Sequence, residues 1–151
     1  MAPSPREIER LLSQKPLHEH VKGDDPGSML HFGGLEDIFD DNIHIQIPGL
    51  DVDIHGVAQL EADEVHPNVP NMTDIIDTSH PVHAPPPHVI GGGDDDHAVI
   101  ILTSKAMTKS GKPWDHETIA LLHFNSSNKI DSIKLYIDTK HVHEHHKAHG
   151  I

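Results

Sequence analysis

The sequence contains no cysteine, which excludes disulfides, thiolate nucleophiles and Cys-bound zinc or iron–sulfur centres. Aromatic residues are scarce at 3 %, with one Trp and one Tyr, so an apolar cavity in this chain is walled mainly by Ile, Leu, Val and Met. Basic residues are few. Eleven Lys plus Arg face 24 Asp plus Glu, and the formal charge of −13 argues against nucleic acid and anionic membranes as partners, because both require a basic face. No apolar run reaches the length of a membrane span, and the opening MAPSPREIER lacks the apolar segment of a signal peptide, so a cytoplasmic location is expected. Histidine, by contrast, is abundant: 17 residues make the net charge steeply pH-dependent between about 5 and 7. A chain of 151 residues is long enough to bury a core, and one domain spanning 1–151 is expected.

Ser4-Pro5-Arg6-Glu7 carries the N-cap, first-turn proline and capping-box glutamate of a helix start, and Ile8, Leu11 and Leu12 form its apolar stripe. Ser28 is a second potential cap. Met29, Leu30, Phe32, Leu35, Ile38 and Phe39 follow it with helical spacing, and Gly33-Gly34 predicts a kink or break in that helix. Asp40-Asp41 is expected to end the helix, after which residues 42–48 alternate as a strand, with Ile43, Ile45 and Ile47 on one side and His44 and Gln46 on the other. Prolines between Val65 and Pro87 leave room only for a strand near Met72 to Thr78, and His83 to His88 is a loop or a lid. Gly91-Gly92-Gly93-Asp94-Asp95-Asp96 reads as a solvated turn, since it has neither the Lys-Ser/Thr of a phosphate loop nor EF-hand spacing.

His97 to Met107 predicts a strand. Residues 117–124 and 130–138 predict a hairpin around Asn125-Ser126-Ser127-Asn128. Its first arm is apolar at nearly every position, as suits a strand covered on both faces. The second arm alternates, with Ile133, Leu135 and Ile137 opposite Ser132, Lys134, Tyr136 and Asp138. Asp138-Thr139 is positioned to cap a last helical turn bearing His141, His143, His145, His146 and His149.

The run Gly-Lys-Pro, a strand ending His-Phe-Asn, a polar turn, Lys-Ile and a strand ending Tyr-Ile-Asp-Thr (residues 111–139) resembles the C-terminal half of SnoaL-like proteins, in the nuclear-transport-factor-2-like superfamily. The segment Phe39 to Gly49 resembles the "acidic turn, first strand, Pro-Gly" portion of the same family, in which a Gly then leads into a short helix, a place that Gly56 to Ala62 fits. The resemblance implies an α+β fold in which N-terminal helices pack on a strongly curved, mostly antiparallel sheet, forming a cone with a central pocket. It also implies a homodimer formed through the outer sheet face, with Glu117 to Phe124 and Val99 to Ile101 supplying apolar surface.

The same resemblance implies a cofactor-free enzyme promoting acid/base proton transfer (cyclisation, isomerisation or dehydration) on a hydrophobic polyketide- or terpenoid-like intermediate. A non-catalytic ligand-binding or dimerisation module is the alternative. Gln46 aligns with the general-base Asp of the resembled ketosteroid isomerases, and Ala120 with their oxyanion-stabilising Asp. Neither can serve, which excludes that reaction. The catalytic candidates are His44, His116 and Asp138. Asp138 stands where SnoaL cyclases carry a late acid/base, although a helix N-cap is the favoured reading of the residue itself. His116 shares a face with Thr118, Ala120 and Leu122. Gln46, Thr118, Tyr136 and Trp114 are the candidates for substrate contacts, with packing as the simpler role for the two aromatics. His141 and His145 stand at i, i+4, a spacing that chelates metal loosely, so no physiological metal and no cofactor are expected.

Overall fold

The structure, a computed structural model, describes residues 2–13, 33–62, 75–77, 79–81, 83 and 85–148. In chain order it contains α1 (Pro5–Ser13), a 3-10 turn (Gly33–Ile38), β1 (Phe39–Ile47), a second 3-10 turn (Pro48–Leu50), β2 (Val52–His55) and α2 (Val57–Ala62). These are followed by β3 (His88–Gly91), β4 (His97–Met107), β5 (Pro113–Phe124), β6 (Ile130–Ile137) and α3 (Thr139–Ala148).

The six strands form one curved sheet in the order β2-β1-β6-β5-β4-β3. Every neighbouring pair is antiparallel except β1 and β6, which run parallel with Ile45 opposite Ile133. Strand alternation decides which side chains enter the core. Ile43, Ile45 and Ile47 of β1, Ala98 and Ile100 of β4, Ala120, Leu122 and Phe124 of β5, and Ile133 and Leu135 of β6 share one buried inner face. Ile8 and Leu11 of α1 join that cluster with Leu35 and Phe39. The start of α1 follows its sequence signals: the Glu7 backbone N–H donates to Ser4 Oγ at 3.2 Å. The Glu7 carboxylate, however, pairs with Arg10 instead of reaching back to the cap.

A smaller cluster of Ile75, Ile76, Trp114 and Val142, with Ala106 and Ile137 against it, lies under α3 where β4 and β6 end and β5 begins. The two clusters are continuous along the inner face of β5, since Trp114, His116, Ala120, Leu122 and Phe124 are all buried.

Several expectations need correction. The helix expected from Ser28 begins outside the described residues. From Gly33 onward the chain forms a 3-10 turn, and β1 starts at Phe39, so Asp40 and Asp41 lie within the strand and do not end a helix. The glycine pair opens that 3-10 turn, and the buried ring of Phe39 already belongs to the sheet. β5 begins at Pro113 and alternates; its outward-facing Ile119 is 39 % exposed, so it is not apolar-covered on both sides. The short strands β2 and β3 have no signal in the sequence strong enough to expect them. The strand anticipated near Met72 to Thr78 falls mostly outside the described residues, and within them Ile76 makes an isolated bridge to Thr108. His83, in the loop-or-lid stretch, is tied to Lys105 by two backbone hydrogen bonds of 2.7 and 2.8 Å.

Candidate functional site

Three imidazoles and the chain's single indole meet on the inner face beneath α3. Trp114 and His116 are inward neighbours on β5, opposite Ala106 and Ser104 of β4. Trp114 is fully buried and His116 is 6 % exposed. The helix above them begins with a capped turn: Asp138 Oδ1 accepts the His141 backbone N–H at 3.0 Å, the N-cap arrangement that Asp favours. One turn separates His141 from His145, so both rings descend on the indole, at centroid distances of 4.6 and 5.0 Å. His116 stacks on Trp114 at 5.2 Å and on His141 at 5.2 Å. The histidines of α3 are therefore not all solvent-facing. His141, Val142 and His145 are the residues with which this helix meets Trp114 and its neighbours.

His116 Nδ1 and His141 Nδ1 are 3.1 Å apart. Two bare nitrogens repel, so one ring must present N–H and the other a lone pair, and the pair shares one proton at this contact. Burial pushes the His116 imidazole down to about 4, with His141 and then His145 adding to the depression and the Asp138 carboxylate opposing it. The ring is thus neutral at physiological pH. His116 Nε2 and Trp114 Nε1 are buried with no hydrogen-bond partner among the described residues. A buried polar atom left unsatisfied costs about 1–3 kcal/mol, so a ligand group that reaches either atom recovers that cost.

The other candidates divide by strand face. Thr118 lies on the inner side of β5, in register with Leu102 and Ile137, two residues beyond His116. His44 and Gln46 lie on the outer face of the sheet, because Ile43, Ile45 and Ile47 occupy the inner one. His44 stands opposite His55 and stacks on it at 4.2 Å, and His44 Nε2 contacts Asp53 Oδ1. Those contacts hold the Asp53 carboxyl below its usual range, with the His44 hydrogen bond the larger cause. Tyr136 is also outward and 49 % exposed. The structure therefore brings together His116, Trp114 and Thr118, with Asp138 at the adjacent helix cap, and separates them from His44, Gln46 and Tyr136.

Sequence reasoning missed the joining of His141 and His145 to His116. The available signal was that α3 has almost no aliphatic residue to turn inward. Among the described residues, two groups of side chains are close enough to hold a metal ion, and both lie on the outer side: His44, Asp53 and His55, and Asp96, His97 and His123.

Comparison with solved structures explains the architecture. An NTF2-like protein of unknown function from Burkholderia pseudomallei matches over 89 % of this chain and 93 % of its own, with a TM-score of 0.54 at 14 % identity. The chain has the NTF2-like fold. TerC, crystallised with polyporic acid, matches over 93 % of this chain and 97 % of its own, with a TM-score of 0.57 at 16 % identity. A Rhodopseudomonas palustris protein provisionally named an isomerase matches over 93 % and 96 %, with a TM-score of 0.54 at 15 % identity. No family model and no curated protein matches the sequence. Among the described residues no helix is long and apolar enough to cross a membrane.

Proposed function

We propose that this NTF2-like chain is a small SnoaL-like enzyme that moves a proton at a carbon next to a carbonyl in a hydrophobic, polyketide- or terpenoid-like substrate. The observation that carries this reading is His116: a buried, neutral imidazole with one nitrogen on His141 and the other without a partner among the described residues. In the tautomer with Nδ1–H, the bare Nε2 accepts the substrate proton. As it does so, Nδ1–H passes to His141 Nδ1, so His116 returns to neutrality as its other tautomer. The positive charge comes to rest on His141, one turn from the Asp138 carboxylate. A lone imidazolium at His116 is disfavoured by burial, and the relay avoids leaving one there. Return of the proton to a different substrate atom completes an isomerisation or sets up ring closure. Trp114 and Thr118 supply one apolar and one hydroxyl contact beside the reacting nitrogen.

The sole tryptophan provides the test. Polyporic acid, the compound crystallised with TerC, is titrated against Trp114 fluorescence. In parallel, a panel of hydrophobic ketones is followed by NMR for exchange of the α-proton with deuterated solvent. The expected result is quenching together with catalysed exchange that His116→Gln removes while the thermal unfolding midpoint is kept. Quenching without exchange in any ketone points to the second reading, a binding or dimerisation module. That reading draws support from Ile90, Ile119 and Tyr136, which stand exposed on the outer face and suit a homodimer contact between sheets.

A further inference from the structure

The turn between β3 and β4 meets the end of β5 and the start of β6 in a cluster the proposed reaction does not use. His97 opens β4 directly opposite His123 of β5, and Asp96 precedes it, its carbonyl accepting the Phe124 backbone N–H at 2.8 Å. His97 Nδ1 is 2.8 Å from Asp96 Oδ1, and His123 Nε2 is 3.4 Å from Asp96 Oδ2. The two rings lie 4.8 Å apart at 57°. Ligand atoms arranged tetrahedrally at about 2.0–2.1 Å from a zinc ion are separated by about 3.3 Å; the spacings of the two rings from their nearer Asp96 oxygens lie on either side of that value, and one ligand atom from each of the three residues lies within 4.8 Å of the other two.

A second observation, independent of the cluster itself, concerns Asp131. The β5–β6 register shifts between His123 and Phe124, from Ser132 to Ile130, which leaves Asp131 as the extra residue of a bulge. Bulges re-aim side chains, and this one sets Asp131 Oδ1 at 2.5 Å from His123 Nδ1. A carboxylate on the far nitrogen fixes the tautomer and orientation of a metal-binding histidine and raises its basicity. Here it commits Nδ1–H to Asp131 and turns Nε2 toward Asp96 and His97. Among the described residues, neither His44 nor His55 has a carboxylate on its second ring nitrogen, which distinguishes this cluster from the other one. The −13 formal charge of the chain further favours cation approach.

We infer that Asp96, His97 and His123, backed by Asp131, form a binding site for a borderline divalent cation of the Zn²⁺ class. His97 Nδ1, His123 Nε2 and one Asp96 oxygen are the protein ligands, water completes the tetrahedron, and the ion takes the place of the proton shared by Asp96 and His97. Two imidazoles and a carboxylate select Zn²⁺, Ni²⁺ or Cu²⁺ over Mg²⁺ or Ca²⁺. The site joins β4, β5 and β6 beside a turn that also receives the N-terminal segment, through the Gly93 N–H to Pro3 carbonyl bond of 2.9 Å. Its role is that of a structural clasp at the rim of the sheet.

Calorimetric titration of the metal-free full chain with ZnCl₂ tests this, using His97→Ala, His123→Ala, Asp131→Asn and His55→Ala as variants. Circular dichroism checks the fold of each, and the largely exposed His97 keeps the test valid if His123→Ala fails to fold. The expected result is one tightest binding event that is lost in His97→Ala, weakened 10–100-fold in Asp131→Asn and retained in His55→Ala. Zn²⁺ should also raise the unfolding midpoint of the wild type and leave that of His97→Ala unmoved. Tight binding that survives His97→Ala, or that is insensitive to Asp131→Asn, overturns the assignment and places the ion among the other histidines.

Discussion

His116 and His123 stand on the same strand, β5, on opposite faces, and their imidazoles are driven in opposite directions. Burial beneath α3, reinforced by the neighbouring imidazoles of His141 and His145, pushes His116 down to about 4. The hydrogen bond to Asp131, joined by the charge of Asp96, holds His123 above its ordinary value despite some burial. Residue type explains neither outcome. An odd or even place on a pleated strand decides whether histidine meets an indole and other imidazoles or a pair of carboxylates. On β5, strand face determines that His116 is driven toward its neutral form and His123 toward its charged one.

The contrast can be broken most severely at Trp114. Trp114→Ala removes the floor on which His116, His141 and His145 rest and is expected to cost about 3–5 kcal/mol, measured by urea unfolding. If the loss is that large, His116 in the surviving fold should also move back toward its ordinary pKa, which NMR titration of its ring protons would register.

Next in size is a pH effect with opposite signs at the two histidines. At His116 the folded state binds fewer protons than the unfolded chain between about pH 4 and 6.5. Stability therefore falls as pH drops through that window, by on the order of 3 kcal/mol when complete. His116→Phe should flatten this slope, and parallel slopes in wild type and variant would count against a buried neutral imidazole. At His123 the folded pKa is raised, so its contribution is fully present below about pH 6.5 and is lost as pH rises through the folded value. With side chains on both partners 34 % exposed, that contribution stays under about 1 kcal/mol. Asp131→Asn should remove it and lower the His123 pKa in an NMR titration.

Asp138 sharpens the comparison from the other side. Asp138→Ala should cost about 1 kcal/mol through loss of the α3 cap, read in thermal unfolding. It should also depress His116 further, because the carboxylate is the one group opposing its fall. Asp138→Asn keeps the cap and isolates the charge.

Much of the fold was legible because alternation is a strong signal. The bounds of β4 match the expected His97 to Met107, the inward set Ile133, Leu135 and Ile137 is the observed one, and the shared face of His116, Thr118, Ala120 and Leu122 was readable from parity alone. Parity also put His44 and Gln46 opposite the isoleucines of β1. The family resemblance drew attention to them as pocket residues, whereas the isoleucines claim the core side. Local pattern could not reveal tertiary meetings. The His116–His141 contact spans two elements, the pairing of His44 with Asp53 depends on the β1–β2 register, and the aim of Asp131 depends on a bulge that leaves no mark in a run such as Lys-Ile-Asp-Ser-Ile.

The parallel seam between β1 and β6 has a consequence for how the chain is built. Ile45 finds Ile133 only once β6 has been made, so the β1–β2 ribbon emerges from the ribosome with one margin unmated and waits for β6 to cover it. Until then the nascent chain carries an open strand edge of alternating isoleucines, a template for intermolecular pairing. Late closure of a long-range seam makes for slow folding, and a chain halted before β6 would be left with two separate ribbons and no continuous sheet.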